Sequence, residues 1–226
     1  MDKTTDSRVA QQGSVVKRVL RSIRRSEAVE ELVQYSLYYR WVLKGRPSGV
    51  PSPHVQKRRQ LKHFAEKYQL STLVETGTYF GSMVEAMKRQ FSRVYSIEFS
   101  EELYQKAKQR FADDANVTLL QGDSAVRLKE IVGELGVPAL FWLDAHYSGG
   151  VTARADLDTP IVEEIRTILS SVHEHVLVID DARCFDGTHD YPTVEHVCAQ
   201  IRMLKPTYTA YVKHDAIIAE PTVGKR

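Results

Sequence analysis

The segment Leu73–Ser82 combines an acid and two glycines at a spacing that could bind a nucleotide-like cofactor. A short apolar run ends on Glu75, Gly77 and Gly81 follow, and a helical pattern begins at Met83. Glycine permits a tight turn and lets the backbone approach a ligand closely. A strand, a glycine turn and a helix start, in this order, are typical of the cofactor loop of an open α/β sheet.

A second acid stands where such a loop needs one. The run 92–98 has the pattern of a buried strand and ends on Glu98, about 20 residues beyond the glycine turn. Dinucleotide-type folds place a carboxylate at this spacing on the hydroxyls of a ribose. Glu98 is therefore the candidate ribose ligand.

Three further apolar runs also end on acids. They are residues 116–123, 138–144 and 175–181, which end on Asp123, Asp144 and the pair Asp180 and Asp181. A single such acid is commonly a helix cap or a turn residue. Parallel strands present their carboxyl ends at one edge, where open α/β sheets bind ligands, so the repeated pattern favours a ligand site.

Strands alternate with helical patterns along the rest of the chain, which predicts a parallel sheet built from βαβ units. Helices are expected near 54–68, 82–90, 100–111, 124–133, 160–170 and 193–204. Strand patterns at 207–213 and 216–220 are separated only by His214 and Asp215, which predicts an antiparallel hairpin. The expected fold is a doubly wound, mostly parallel seven-stranded sheet that ends in this hairpin.

The N-terminal part differs in charge from the rest. Residues 1–70 hold 15 Lys/Arg and 6 Asp/Glu, a balance of +9, and residues 71–226 hold 16 and 23, a balance of −7. We expect a tail and helical extension over 1–53 and a Rossmann-like domain over 54–226. A basic amphipathic helix is expected from Ser14. Two roles are open for it: contact with an anionic membrane surface or acidic partner, or packing on its own domain or on a homodimer mate.

The composition excludes several other classes of protein. The sequence contains no run of about 18 apolar residues that would span a membrane, and its start lacks the apolar core of a secretion signal. Cys184 and Cys198 give neither a disulfide framework nor a metal-binding spacing. A cytoplasmic location is the default expectation.

Taken together, residues 55–220 resemble the class I S-adenosylmethionine-dependent methyltransferases, which combine such a sheet with a terminal hairpin. Thr-Gly-Thr-Tyr-Phe-Gly after Glu75 looks like that family's first motif. The spacing Glu-x-Gly-x-Tyr-x-Gly is similar to the metal-dependent catechol O-methyltransferase branch. Phe-Trp-Leu-Asp-Ala-His at 141–146 and Val-Ile-Asp-Asp at 178–181 look like that branch's Mg²⁺-binding acids, and macrocin-type sugar O-methyltransferases have a similar arrangement.

The resemblance implies S-adenosylmethionine as cofactor, a Mg²⁺ ion, and O-methylation of a hydroxyl on a small-molecule acceptor, with no nucleic acid as partner. The implied cofactor contacts are Glu75, Thr76, Gly77, Tyr79, Gly81, Ser82, Glu98, Asp123, Ser124 and Asp144. Among them, Gly77 would approach the amino-acid end, Glu98 the ribose, and Asp123 with the Ser124 backbone the adenine. The implied metal ligands are Asp144, Asp180 and Asp181, and the catechol-type branch has an asparagine at the position of Asp181.

The chain departs from the family pattern at two positions. The commoner first motif has a glycine where this chain has Tyr79, and Tyr147 stands where the catechol enzymes carry a lysine base. His146 and Tyr147 are the candidate bases, and Asp144 is counted with them as catalytic. The loop between Ser148 and Asp158 is expected to cover the site.

Three alternatives remain open at this point. A metal-independent methyltransferase would use His146 as its base. An NAD-dependent Rossmann protein would share the topology, but it normally needs a third glycine in the loop and has no final hairpin. A non-catalytic nucleotide-binding module could keep the same fold.

Overall fold

The computed structural model describes residues 29–47, 49–144, 160–188 and 191–222 of the 226-residue chain. The described strands are β1 (Thr72–Thr76), β2 (Arg93–Glu98), β3 (Val117–Gln121), β4 (Leu140–Leu143), β5 (Val176–Ile179), β6 (Tyr208–Lys213) and β7 (Ala216–Pro221). They form a seven-stranded sheet with the order β3-β2-β1-β4-β5-β7-β6.

The direction of the strands confirms the predicted fold class. Strands β1 to β5 are parallel, whereas β7 pairs antiparallel with both β5 and β6. Six of these strands therefore run one way and β7 runs the other way between two of them. This is the mostly parallel sheet with a terminal antiparallel hairpin that the sequence predicted.

Helices connect the strands and lie on both sides of the sheet. Helix α1 is described over residues 29–43, and the others are α2 (His54–Lys67), α3 (Ser82–Met87), α4 (Glu101–Arg110), α5 (Ser124–Glu134), α6 (Ile161–Leu169) and α7 (Val194–Leu204). A short 3-10 turn covers Ala182–Cys184. Side-chain oxygens of Ser100, Asp123 and Thr193 accept backbone N–H groups at the starts of α4, α5 and α7.

Helix α3 is shorter than the sequence predicted. It ends at Met87 rather than near Gln90. The Gln90 N–H donates to the Met87 carbonyl in a turn, and the Ser92 N–H donates to the Ser71 carbonyl. The chain must turn back here because β2 pairs directly beside β1, so the last polar residues of the helical pattern form the turn.

Both faces of the central strands β1, β4 and β5 are buried, as expected for a parallel sheet covered by helices. Alternate residues of each strand enter two separate apolar clusters: Phe141 and Leu143 belong to one, and Leu140 and Trp142 belong to the other. All four side chains are 2% exposed or less. The strands are thus fixed in register, and their carboxyl ends form one well-defined edge.

The β6–β7 hairpin closes through the two residues named from the sequence. His214 has φ 52° and Asp215 has φ 59°. Positive φ at both central residues is the geometry of a type I′ turn, which matches the twist of a two-residue hairpin. Since β6 runs parallel to β1–β5, this turn lies at the carboxyl edge of the sheet.

The chain divides into two compact units. One ends at Pro47 and includes Pro53–Val55, and the other comprises Ser48–Ser52 and Gln56–Arg226. The first has a small core of its own, formed by Tyr38, Trp41 and Val55. The basic helix expected from Ser14 lies outside the described residues. Among those described, no helix has both the length and the apolar character required to cross a membrane.

Candidate active site

Residues 77–81, here called the glycine loop, connect β1 to α3 at the carboxyl edge of the sheet. The backbone N–H groups of Gly77 and Thr78 both donate to the Ile97 carbonyl, at 2.9 and 3.2 Å. The Gly81 N–H donates to the Thr78 carbonyl at 2.8 Å, which closes the turn. The loop is therefore held against the end of β2 by main-chain hydrogen bonds.

The backbone of Tyr79 accounts for the departure from the commoner motif. Its φ is 51°, in the left-handed region that glycine enters without a steric penalty. The side chain is about half exposed, and its ring centroid lies 4.1 Å from that of Phe80. The chain thus keeps the glycine-type conformation at this position while placing an aromatic ring on the loop.

Gly81 is required for close packing at the start of α3. A Cβ atom at this position would lie 2.5 Å from Cε2 of Phe111, the residue that ends α4. Gly81 also has φ 73°. The glycine thus lets the start of α3 pass the Phe111 ring. Ser82, the next residue, is the exposed first residue of α3.

Glu98, the last residue of β2, lies beside the glycine loop. The Tyr79 N–H donates to Oε2 at 2.7 Å and the Ser100 N–H donates to Oε1 at 2.9 Å. The residue is 4% exposed, and burial raises the pKa of Glu98 while the backbone N–H groups oppose that shift. Each carboxylate oxygen has a further lone pair, so Glu98 can still accept two hydroxyl groups of a ligand.

Glu75 is buried inside the sheet rather than open to the edge. It is 2% exposed, and its Oε2 accepts the Ser96 hydroxyl at 2.5 Å. The Ser96 oxygen lies 2.6 Å from Thr78 Oγ1. Burial raises the pKa of Glu75 to about 8; Ser96 opposes this shift, and the charges of Asp144 and Glu98 add to it. Ser96 of β2 therefore connects Glu75 of β1 to Thr78 of the glycine loop.

The acid at the end of β3 has a structural role of its own. Asp123 Oδ1 accepts the Ala125 N–H at 2.8 Å and caps α5, while Ser124 is a buried first residue of that helix. Thr76, at the end of β1, is fully buried, and its carbonyl accepts the Asp144 N–H at 3.1 Å. Its Oγ1 has no hydrogen-bond partner among the described residues.

Three carboxylates meet where β4 and β5 end, and we call Asp144, Asp180 and Asp181 the acidic cluster. One oxygen from each residue lies within 4.8 Å of the others. The Asp180 N–H donates to the Leu143 carbonyl, which continues the pairing of β4 with β5 past the strand ends. Asp180 is 2% exposed, and burial, followed by the charge of Asp144, raises the pKa of its carboxyl group.

Sequence reasoning missed a cation in this cluster, Lys57. Its Nζ donates to Asp180 Oδ2 and lies 3.5 Å from Asp181 Oδ1. Burial lowers the pKa of Lys57, but the charges of Asp180, Asp144 and Asp181 outweigh it, so the pKa lies above its ordinary value. Nζ also lies 5.8 Å from the centroid of the Trp142 ring.

Topology could have predicted that the start of α2 lies near the acidic cluster, although not which of its basic residues contacts it. Helix α2 leads directly into β1, so it runs back along the sheet and its first turn returns to the carboxyl edge. Its 14 residues span about 21 Å, and the five residues of β1 span about 17 Å. Within the run Gln56-Lys57-Arg58-Arg59, nothing in the residue types alone distinguishes Lys57 from its basic neighbours.

A second cation joins the cluster to the terminal hairpin. Arg183 donates to Asp181 Oδ1 at 2.6 Å and also to the carboxylate of Asp215 in the β6–β7 turn. Asp181 itself has φ 54°, a conformation that aspartate adopts more readily than most residues. The hairpin turn is therefore part of the surroundings of the acidic cluster.

The donor set of the acidic cluster fits a hard divalent cation. All three ligand atoms are carboxylate oxygens, the type that Mg²⁺ prefers. The three oxygens lie within 4.8 Å of one another, so small movements of the side chains would bring them onto one shared ion. Such an ion would be held by Asp144, Asp180 and Asp181.

The candidate bases lie outside the described residues. His146 and Tyr147 follow Asp144 by two and three residues, and the structure describes the chain up to Asp144 and again from Pro160. The loop expected to cover the site, Ser148–Asp158, belongs to the same segment. Their roles stay predictions.

Comparison with known proteins gives a consistent fold. No protein-family model and no curated protein sequence matches the chain. Among solved structures, the O-methyltransferase TomG of Streptomyces achromogenes, crystallised with SAM, has a TM-score of 0.51 and 17% identity over 84% of this chain and 89% of its own. An O-methyltransferase of Bacillus cereus, crystallised with SAH, has a TM-score of 0.53 and 19% identity over 83% and 90%.

The fold is shared by proteins with other assigned substrates. A Clostridium thermocellum protein assigned as an rRNA methylase has a TM-score of 0.53 and 12% identity, covering 76% of this chain and 98% of its own. Identities this low establish the fold and leave the acceptor open. Together with the order of the strands, they show that this chain has the fold of the class I S-adenosylmethionine-dependent methyltransferases.

Proposed function

We propose that the protein is an S-adenosylmethionine-dependent methyltransferase that transfers a methyl group to a hydroxyl of a small molecule. The observation that carries the proposal is the environment of Glu98. Two backbone N–H groups fix its carboxylate beside the glycine loop, at the carboxyl edge of a sheet with an antiparallel β7. Neighbouring structures of the same fold contain SAM or SAH.

The cofactor would bind along the glycine loop. Glu98 would accept the two ribose hydroxyls, Gly77 would approach the amino-acid end, and Asp123 with the Ser124 backbone would contact the adenine. The capping bond of Asp123 occupies Oδ1, which leaves Oδ2 for a ligand. Transfer of the methyl group from the sulfonium depends mainly on a nucleophile aligned with the carbon–sulfur bond, and it needs no covalent intermediate with the protein.

The reaction would take place beside the acidic cluster. The acceptor oxygen forms a bond to the methyl carbon, the carbon–sulfur bond breaks, and its electron pair neutralises the sulfonium. A divalent ion would lower the pKa of the acceptor hydroxyl when bound. Asp144, Asp180 and Asp181 would hold that ion, and His146 or Tyr147 would receive the hydroxyl proton.

A metal-independent methyltransferase is the second candidate, and the position of Lys57 favours it. An ammonium group in contact with Asp180 already supplies positive charge at the acidic cluster. In that case His146 would be the leading base and the acceptor would need no ion. The antiparallel β7 disfavours the third reading, an NAD-dependent protein, because the dinucleotide fold has no such hairpin.

Ligand binding tests the cofactor and chelation tests the metal. SAM and SAH should raise the melting temperature of the full chain, whereas NAD and NADP should not, because a ligand stabilises the state to which it binds. Methyl transfer to a panel of phenols and sugars should stop in excess EDTA and return with Mg²⁺. Full activity in EDTA would reject the metal and favour the second candidate, and a shift with NAD alone would reject the methyltransferase.

A further inference from the structure

Lys57 occupies the part of the acidic cluster that a metal ion would need. Its Nζ donates to Asp180 Oδ2 and lies 3.5 Å from Asp181 Oδ1. The Lys57 side chain is 17% exposed, and the side chains of Asp180 and Asp181 are 1% and 15% exposed. The contact is therefore a mostly buried ion pair and differs from the exposed lysine pairs of the surface, such as Lys106 with Glu102.

An ammonium group and a divalent ion cannot share this position. A Mg²⁺ ligated by Asp180 Oδ2 would lie about 2.1 Å from an oxygen that already accepts a hydrogen bond from Nζ. The two cations would then be about 4 Å apart or closer, where their repulsion is strong in a poorly solvated site. Binding of the metal thus requires Lys57 to leave Asp180.

Lysine is suited to such an exchange. Its ammonium group is a compact charge on a flexible four-carbon stem, so it can leave without a change in the backbone of α2. By contrast, the backbone N–H groups that fix Glu98 cannot move without rearranging the glycine loop.

We propose that Lys57 is a built-in competitor of the metal: it pairs with Asp180 when no ion is bound and must be displaced from Asp180 by the ion. The inference rests on the metal site of the proposed function and adds the residue that sets its affinity. Because of this competition, the affinity of the acidic cluster for a divalent ion is lower than it would be if the three carboxylates were present without Lys57. It also keeps the buried Asp180 paired when no metal is bound, which avoids an uncompensated buried charge.

The test measures Mn²⁺ binding to the full chain without cofactor or acceptor, by calorimetry and by electron paramagnetic resonance. Lys57→Met keeps the length of the side chain and removes its charge, so the variant should bind Mn²⁺ about tenfold more tightly than the unmodified protein, or better. Lys57→Arg keeps a cation and should stay within about threefold of it. Adding Asp180→Asn to Lys57→Met should remove the gain.

Lys67→Met is the matched control. Lys67 lies on the same helix, and its Nζ donates to Glu220 at 2.6 Å, so this variant also removes a lysine from a carboxylate pair. The two lysines are ten residues apart, which corresponds to about 15 Å along α2. Lys67→Met should therefore leave Mn²⁺ affinity unchanged.

Thermal melting provides a second test in case Lys57→Met is less stable than the unmodified protein. In EDTA this variant should melt below the unmodified protein, and saturating Mn²⁺ should raise its melting temperature by more than it raises that of the unmodified protein. Equal Mn²⁺ affinities and equal shifts would overturn the competition while leaving the metal site intact. Absence of Mn²⁺ binding in every variant would overturn both, while SAH binding would still report separately on the cofactor site.

Discussion

The glycine loop and the acidic cluster are held in place by different kinds of contact. At the loop, main-chain N–H groups of Tyr79 and Ser100 fix the carboxylate of Glu98. At the cluster, the long side chains of Lys57 and Arg183 contact the carboxylates. Main-chain donors are fixed once the sheet forms, whereas these side chains can change partners. We therefore expect a rigid cofactor site beside an adjustable site for the ion and the acceptor.

The largest expected effect separates the two sites by activity. Asp144→Asn should lower methyl transfer by about a thousandfold, since a metal ion is worth several kcal/mol of charge stabilisation. SAH affinity should fall far less than the rate, because Asp144 is only one of the implied cofactor contacts and those of Glu98 and the glycine loop remain. Asp181→Asn should cost less, since the resemblance places an asparagine at that position. For both variants, calorimetry measures SAH affinity and initial rates measure methyl transfer. A loss of SAH binding as large as the loss of activity would contradict the independence of the two sites.

A pH experiment tests whether Glu75, which Ser96 connects to the glycine loop, is protonated in the folded protein. The pKa of Glu75 is raised to about 8 in the folded protein. Between its ordinary pKa and 8 the folded state holds a proton that the unfolded state releases, so this residue makes the free energy of unfolding fall as the pH rises. Relative to the unmodified protein, Glu75→Gln should therefore gain about 3 kcal/mol between pH 5 and pH 8. Urea unfolding at both pH values measures this, and a constant difference would show that Glu75 is not held neutral.

Glu98→Ala examines the cofactor site directly. The variant should weaken SAH binding by about 1.5–3 kcal/mol, the scale of hydrogen bonds to a charged group. Mn²⁺ affinity should stay the same, because Glu98 lies beside the glycine loop and is not part of the acidic cluster. Unchanged SAH affinity in a folded variant would remove Glu98 from the cofactor site.

The smallest effect concerns the packing of the loop. Gly81→Ala should reduce the free energy of unfolding by about 1–2 kcal/mol. The new Cβ would collide with the Phe111 ring, and alanine is also disfavoured at the positive φ of this position. Gly45→Ala is the matched control: Gly45 has φ 77°, but a Cβ there would meet no atom within 4 Å. If both variants lose equal stability, the contact with Phe111 contributes nothing.

The sequence was sufficient to predict the sheet and the acids at the carboxyl ends of its strands. Apolar runs ending on Glu98, Asp144 and Asp180 predicted strands correctly because burial of both faces leaves continuous apolar segments. What the sequence did not predict is which contacts hold these acids. Lys57 was missed because it lies 123 residues from Asp180 along the chain, and its neighbours in α2 are also basic. The raised pKa of Glu75 comes from its burial in the folded sheet, which residue types alone do not reveal.

The contacts at the two sites join residues that are separated by very different lengths of chain, and this difference has a consequence for folding. Tyr79 contacts Glu98 across 19 residues, whereas Lys57 contacts Asp180 across 123 and Ser52 contacts His214 across 162. Local contacts form early and cost little loop entropy, while long-range contacts are slow. During synthesis the glycine loop can fold soon after β2 emerges, but the sheet beside β5 stays open until β7 is made. A chain that stops before Ala216 would therefore lack β7 and expose the edge of β5, which makes a truncated product prone to aggregation.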